Sequence, residues 1–150
     1  MPSNSINYLY SLLTLTLIGV ILTSAFSSYC GVLKQSSESK KLEDVLKMIG
    51  SKAAYALMLL AENNATLILD FQMPSRIGDR YYWIRIGNDS SSSWIEGGFG
   101  LDSREGEQES RIYLPRKVYA SGTFESRYEI ARLNCSMGES TFKITLGRKE

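Results

Sequence analysis

Between Tyr8 and Ser27 the chain reads YLYSLLTLTLIGVILTSAFS, without one charged side chain. As a helix, about twenty such residues span about 30 Å, the thickness of the hydrocarbon core of a bilayer. In water the same surface has to be covered by protein. Whatever the chain folds into must therefore deal with an apolar end, and three routes are open: removal as a signal peptide, retention in a membrane, or packing against copies of the same helix. A secretory signal has a basic start, an apolar core of about 7 to 15 residues and a small-residue cleavage site. Here no Lys or Arg precedes the run, the run is longer, and TSAFS contains no A-x-A. A retained helix is the expectation.

The first charged side chain is Lys34 and the first acid is Glu38, so the rest of the 150 residues reads as an ordinary soluble domain. Lys and Arg (17) are interspersed with Asp and Glu (16) and the net charge is +1, which gives no phosphate-tracking surface and argues against nucleic acid as a partner. There is no histidine, which removes the commonest general base and the commonest zinc ligand. No G-x-S-x-G, P-loop or metal-ligand spacing occurs. The expectation is no enzyme, no cofactor and no metal. Glu96, Asp102, Glu105 and Glu107 read as a solvated acidic loop and not as paired catalytic carboxylates.

Cys30 and Cys135 form no C-x-x-C, which argues against a zinc site or a thioredoxin-like pair. A disulfide between them, closing a loop of about a hundred residues and contributing up to about 4 to 5 kcal/mol in an oxidising compartment, and two unpaired thiols are both open. Three N-x-[ST] sequons begin at Asn64, Asn88 and Asn134, and each is a glycosylation candidate if this part of the chain lies outside the cell. Lys34, Lys40, Lys41 and Lys47 after the apolar run pull toward a cytoplasmic C-terminal side. The sequons pull the other way, and an external C-terminal domain is favoured.

After the polar patch KQSSESKK, apolar residues return at Leu42, Val45, Leu46, Ile49, Ala53, Ala56, Leu57 and Leu60, the spacing of one helical face. The spacing predicts an amphipathic continuation, so that residues 1–62 form a long N-terminal helix in which 8–27 is the membrane or filament-core segment. Two helices with a loop near residues 35–39 are the alternative. ENNAT closes the helix, with Asn63 or Asn64 taking the left-handed conformation. From residue 65 the period becomes 2. ATLILDFQ and RYYWIRIG predict two strands joined as a hairpin through Gly78-Asp79. SSWIEGGF, SRIYLP, KVYAS, FESRYEIARL and STFKITLG are further strand candidates. That many strands imply a sandwich or a strongly curled sheet whose apolar face receives helix residues 42–60. The aromatic series Tyr81, Tyr82, Trp83, Trp94, Phe99 and Tyr113 is expected to serve core and cross-strand packing. The fold class is thus α+β, a long helix packed on an antiparallel β-sandwich-like head at residues 63–150.

With the run Tyr8 to Phe26, the continuation Leu42 to Leu60 and the strands beginning ATLILDFQMPSRIGDRYYWIRI, the chain resembles type IV pilin-like proteins, and within them the archaeal pilins and archaellins. The resemblance covers the whole chain as an architecture and only the N-terminal third as a motif. It implies a structural subunit that is held in the membrane before assembly, handled by pilus assembly machinery and polymerised with itself into an extracellular filament at the cell surface. The runner-up is a membrane-anchored accessory or minor pilin-like binding module. A prepilin leader is basic with Gly or Ala before the cut, and MPSNSINY has neither; an already trimmed chain and an unprocessed one are both open. The apolar segment also has no glutamate near its fifth residue, which archaeal members commonly lack. Ser11, Thr14, Thr16, Thr23 and Ser24 are placed to bond backbone carbonyls within the helix or to permit close helix approach. Loops near Asn88 and at residues 101–110 are expected to face solvent or neighbouring heads.

Overall fold

A computed structural model of the protein describes residues 3–63, 65–102, 108–115, 118–138 and 141–149. Helix α1 covers Ser3–Asn63. The stretch contains no proline, the residue that most often breaks a helix, and its backbone is helical through residues 35–39. The chain divides into two compact units, residues 1–37 and residues 38–150. The first consists of the N-terminal part of α1, in which residues 6–37 are all exposed. The second begins at Glu38, so the amphipathic part of α1 belongs with the strands. Residue 62, the domain boundary expected from the sequence, lies one position before the end of α1 at Asn63.

Within the second unit, α1 buries Leu42, Leu46, Ile49, Ala53, Ala56, Leu57 and Leu60. These residues recur at helical spacing and form one stripe. Lys40, Lys41, Asp44 and Lys47 lie exposed on the other side. The strands are β1 (Leu67–Gln72), β2 (Tyr82–Asn88), β3 (Ser93–Phe99), β4 (Ser110–Tyr113), β5 (Tyr119–Glu125), β6 (Ile130–Met137) and β7 (Phe142–Arg148). They form one seven-stranded sheet in the order β1-β6-β7-β5-β2-β3-β4. All neighbours are antiparallel except β5 and β7, which are parallel. The layer opposite the sheet is therefore the helix, and the α+β class holds with a single sheet in place of a sandwich-like pair.

One sheet face supplies Tyr82, Ile84, Ile86, Ile95, Phe124, Leu133, Ile144 and Leu146 to the core formed with the α1 stripe. Close approach is possible where β3 carries Gly97: a Cβ there would lie 3.1 Å from Leu46 Cδ2 and 3.5 Å from Leu42 Cδ1. Ser39 adds a polar tie, its hydroxyl donating to Glu109 at 2.9 Å.

Two strand assignments need correction. β1 and β2 do not form a hairpin. β1 pairs with β6, Leu67 opposite Cys135 through Gln72 opposite Ile130, whereas β2 lies between β5 and β3. The turn at Gly78-Asp79 exists, closed by Ile77 N–H to Arg80 O at 3.0 Å and Arg80 N–H to Ile77 O at 3.3 Å. It belongs to the crossing from one edge of the sheet toward the other, anchored where the Tyr82 hydroxyl donates to Pro74 O at 2.7 Å. Likewise FESRYEIARL is not one strand. Buried Ser126 accepts the Tyr82 N–H on its hydroxyl at 3.1 Å, residues Ser126–Tyr128 make a 3-10 turn, and Glu129 at φ 58° redirects the chain into β6.

Candidate functional site

The most distinctive surface is the N-terminal unit itself. Its large apolar side chains stand in the open, Tyr8 73% exposed, Leu15 74%, Val20 69% and Phe26 70%. Soluble chains rarely leave a contiguous apolar area of this extent uncovered. The interspersed hydroxyls do not make it polar. Ser11, Thr14 and Thr23 donate to the carbonyls of Asn7, Tyr10 and Gly19 at 2.8–3.0 Å, and Thr16 to those of Leu12 and Leu13. These four hydroxyls are satisfied inside the helix, and the threonine methyl groups are left for contact. Thr16, Gly19, Val20, Thr23, Ser24 and Ser27 line a shallow groove on one side, the kind of small-residue strip along which a second helix can approach closely. The helix is long and apolar enough to cross a membrane, and its backbone donors and acceptors are paired internally, as a bilayer or a dry helical core requires.

A second feature lies on the sheet face turned away from α1. Strand alternation places Arg85 of β2, Glu96 of β3 and Arg111 of β4 opposite one another. Glu96 is fully buried there. Arg85 Nε donates to its Oε1 at 2.6 Å, Arg111 Nη2 and Nε donate to Oε2 at 2.6 and 3.1 Å, and Trp94 Nε1 donates to Oε2 at 3.1 Å. The Arg111 guanidinium also lies 4.7 Å from the Trp94 ring centroid. Burial pushes the Glu96 carboxyl up, but the bonds from Arg111 and Arg85 outweigh it and hold it below its ordinary value. The sequence reading of Glu96 as part of a solvated acidic loop is therefore wrong. It is a strand residue whose charge is compensated across two neighbouring strands. Asp102 is half-buried, and Glu105 and Glu107 lie outside the described residues.

The aromatic series divides by face. Tyr82 and Phe99 are in the core, Trp83 is buried on the outer face, Tyr81 and Trp94 are half-buried, and Tyr113 is exposed. Arg80 stacks 4.1 Å from the Phe99 centroid and Arg76 4.4 Å from that of Tyr81. Further along the outer face Asp70 accepts from Arg132 at 2.7 and 3.0 Å and pairs with Lys149 at 3.2 Å. The Arg132 bond and the Lys149 ammonium hold its carboxyl at about 2. Asp89 is brought to about 2 by the backbone N–H groups of Ser91 and Ser92, with which it closes the loop between β2 and β3.

Cys135 is fully buried in β6, Cys30 is exposed on α1, and both are free thiols. The Cys135 side chain points into the core. Burial raises its thiol to about 11. Of the sequons, Asn64 lies outside the described residues. Asn88 is half-buried and accepts the Ala120 N–H at 3.1 Å, while Asn134 is exposed on β6. Among the described residues no group of three or more Cys, Asp and Glu side chains is placed to hold a metal ion. The Glu96 cluster is what sequence reading missed. Its signal was the two-residue period that puts Trp83 with Arg85 and Trp94 with Glu96 on one face of adjacent strands.

No protein-family model, no curated protein and no solved structure matches this chain.

Proposed function

We propose that the protein is a structural subunit of an extracellular type IV pilus-like filament and polymerises through the N-terminal part of α1. The observation that carries this reading is the exposure of every residue from 6 to 37 on a helix whose side chains are apolar from Ile6 to Leu33 apart from scattered hydroxyl, amide, glycine and cysteine residues. Such a surface is at home in a bilayer before assembly and among identical helices afterwards, and covering it gives roughly 25 cal/mol per Å² in either place. A helix that packs on the next copy by a screw operation makes a heterologous, open-ended contact, the kind that builds a filament. The resemblance to archaeal pilins and archaellins agrees with this reading.

The test is a charge placed in the apolar surface. Wild-type protein sheared from cells is expected to sediment as polymer without detergent, and Val20→Asp is expected to abolish the sedimenting species. Recovery of wild type only from membranes, as a detergent-released monomer, would favour the alternative of an anchored accessory module and end the filament reading.

A further inference from the structure

The sheet's outer face contains an asparagine that folding does not explain. Asn134 lies in the middle of β6, where Asn is a poor strand former. It is exposed, and among the described residues its carboxamide makes no hydrogen bond. Its cross-strand neighbours are Ile68 of β1 and Thr145 of β7, and Thr145 in turn faces Ser121 of β5. The row across from Asn134 is made of small polar side chains, with Arg132 and Ser136 on either side of Asn134 along β6, Lys143 opposite Ser136 on β7, and Gly147 on β7, where a Cβ would meet nothing within 4 Å. Ile68, 55% exposed, borders the row on one side, and Tyr119, 56% exposed, stands on β5 beyond it. Ser136, two residues on, completes N-C-S.

We propose that Asn134 is the N-glycosylated position of the sheet and that its glycan lies over the Thr145–Ser121 row between Ile68 and Tyr119. A row of hydroxyls between the Ile68 side chain and the Tyr119 ring, beside which the Lys143 ammonium lies 5.9 Å from the ring centroid, suits a sugar, whose hydroxyls bond to polar and charged groups at its edges and whose C–H faces pack on aliphatic and aromatic side chains. Asn88, the other described sequon, is set aside because its carboxamide is half-buried and already holds the start of β5 through Ala120 N–H. In the transfer, Asn134 Nδ2 attacks the anomeric carbon of an oligosaccharide carried on a polyprenyl phosphate or diphosphate. The N–C bond forms, the anomeric C–O bond breaks, the phosphate leaves as the anion, and the Nδ2 proton passes to a base of the transferase. No oxidation is involved. The inference rests on the part of the functional reading that puts residues 38–150 outside the cell.

Trypsin separates the three sequons onto different peptides: Ala53–Arg76 for Asn64, Ile86–Arg104 for Asn88 and Leu133–Lys143 for Asn134. Full-length protein from its native cells is digested and the three are weighed, with trypsin accessibility of the head on intact cells measured in parallel. The expected result is that Leu133–Lys143 is heavier by whole sugar residues, that the increment disappears in both Asn134→Gln and Ser136→Ala, and that Ile86–Arg104 has its bare mass. Bare Leu133–Lys143 from a head that trypsin reaches on intact cells would overturn the inference alone. A bare peptide from a protected head would overturn it together with the external placement. A modified Ile86–Arg104 would overturn the choice of Asn134 over Asn88. Modified Asn134 on a chain that never enters filaments would uphold the inference and end the filament reading.

Discussion

Glu96 collects bonds from Arg85, Arg111 and Trp94, so replacing it by alanine removes both acceptor oxygens and leaves the donors of three side chains to find water. Both arginines are partly exposed and rehydrate, which keeps the expected loss to about 1–3 kcal/mol, measured as the shift of the urea midpoint. Glu96→Gln keeps the shape and an acceptor oxygen and is expected to lose less. The pH dependence follows from the direction of the shift. The Glu96 carboxyl titrates below its ordinary 4.5 in the folded chain, so its contribution is present above that value and is lost as pH falls through the folded one. Asp70 and Asp89, both at about 2 against an ordinary 3.8, act in the same direction. Stability is expected to fall as pH drops from about 4.5 toward 2, with a shallower slope in Asp70→Asn and in Glu96→Gln. A tighter constraint sits at Gly122, at φ 121°, where a Cβ would run into the Leu146 carbonyl of the parallel neighbour. Gly122→Ala is expected to cost about 3 kcal/mol or more, read from the same midpoint. A wild-type midpoint in that variant would contradict the strand register.

Helix α1 has one buried stripe, and its two sides should respond differently. Leu46, packed against Gly97 of β3, is expected to lose about 2–5 kcal/mol on truncation to alanine. Tyr55, 57% exposed on the other side, should stay within about 0.5 kcal/mol as alanine. Equal losses would contradict the packing. The stripe was legible in the sequence because a helix records its burial in local spacing, and Leu42 through Leu60 repeat at that spacing. Strand existence was legible for the same reason, as in Leu67, Leu69 and Phe71 of β1. Strand partners were not, because a period of 2 states which face a residue takes and says nothing about which strand lies beside it. The Gly78-Asp79 turn looked like a hairpin from local chemistry alone, while β1 is completed by β6, whose paired residues lie 58 to 68 positions away. The parallel pairing of β5 with β7 has no local signal at all. The acidic neighbours of Glu96 along the chain suggest a loop, whereas its environment is set by its cross-strand neighbours Arg85 and Arg111.

For the whole molecule the decisive property is the contrast between a unit that buries its apolar side chains and one that exposes them. Residues 38–150 form a core of ordinary composition, whereas residues 6–33 offer Tyr8, Leu15, Val20 and Phe26 to whatever surrounds them. The proposal is that copies of the same helix provide that surrounding, after the membrane has provided it first. The apolar surface was visible in the sequence from its first uncharged residues, since nothing beyond composition is needed to see it. Its occupant is a property of the assembly and is not encoded in any one residue. The most direct measurement is electron microscopy, with mass spectrometry of the subunits, on material sheared from the surface of native cells. Filaments built of this chain are expected. Filaments without it, together with recovery of the chain only from detergent-extracted membranes, would contradict assembly through the apolar part of α1.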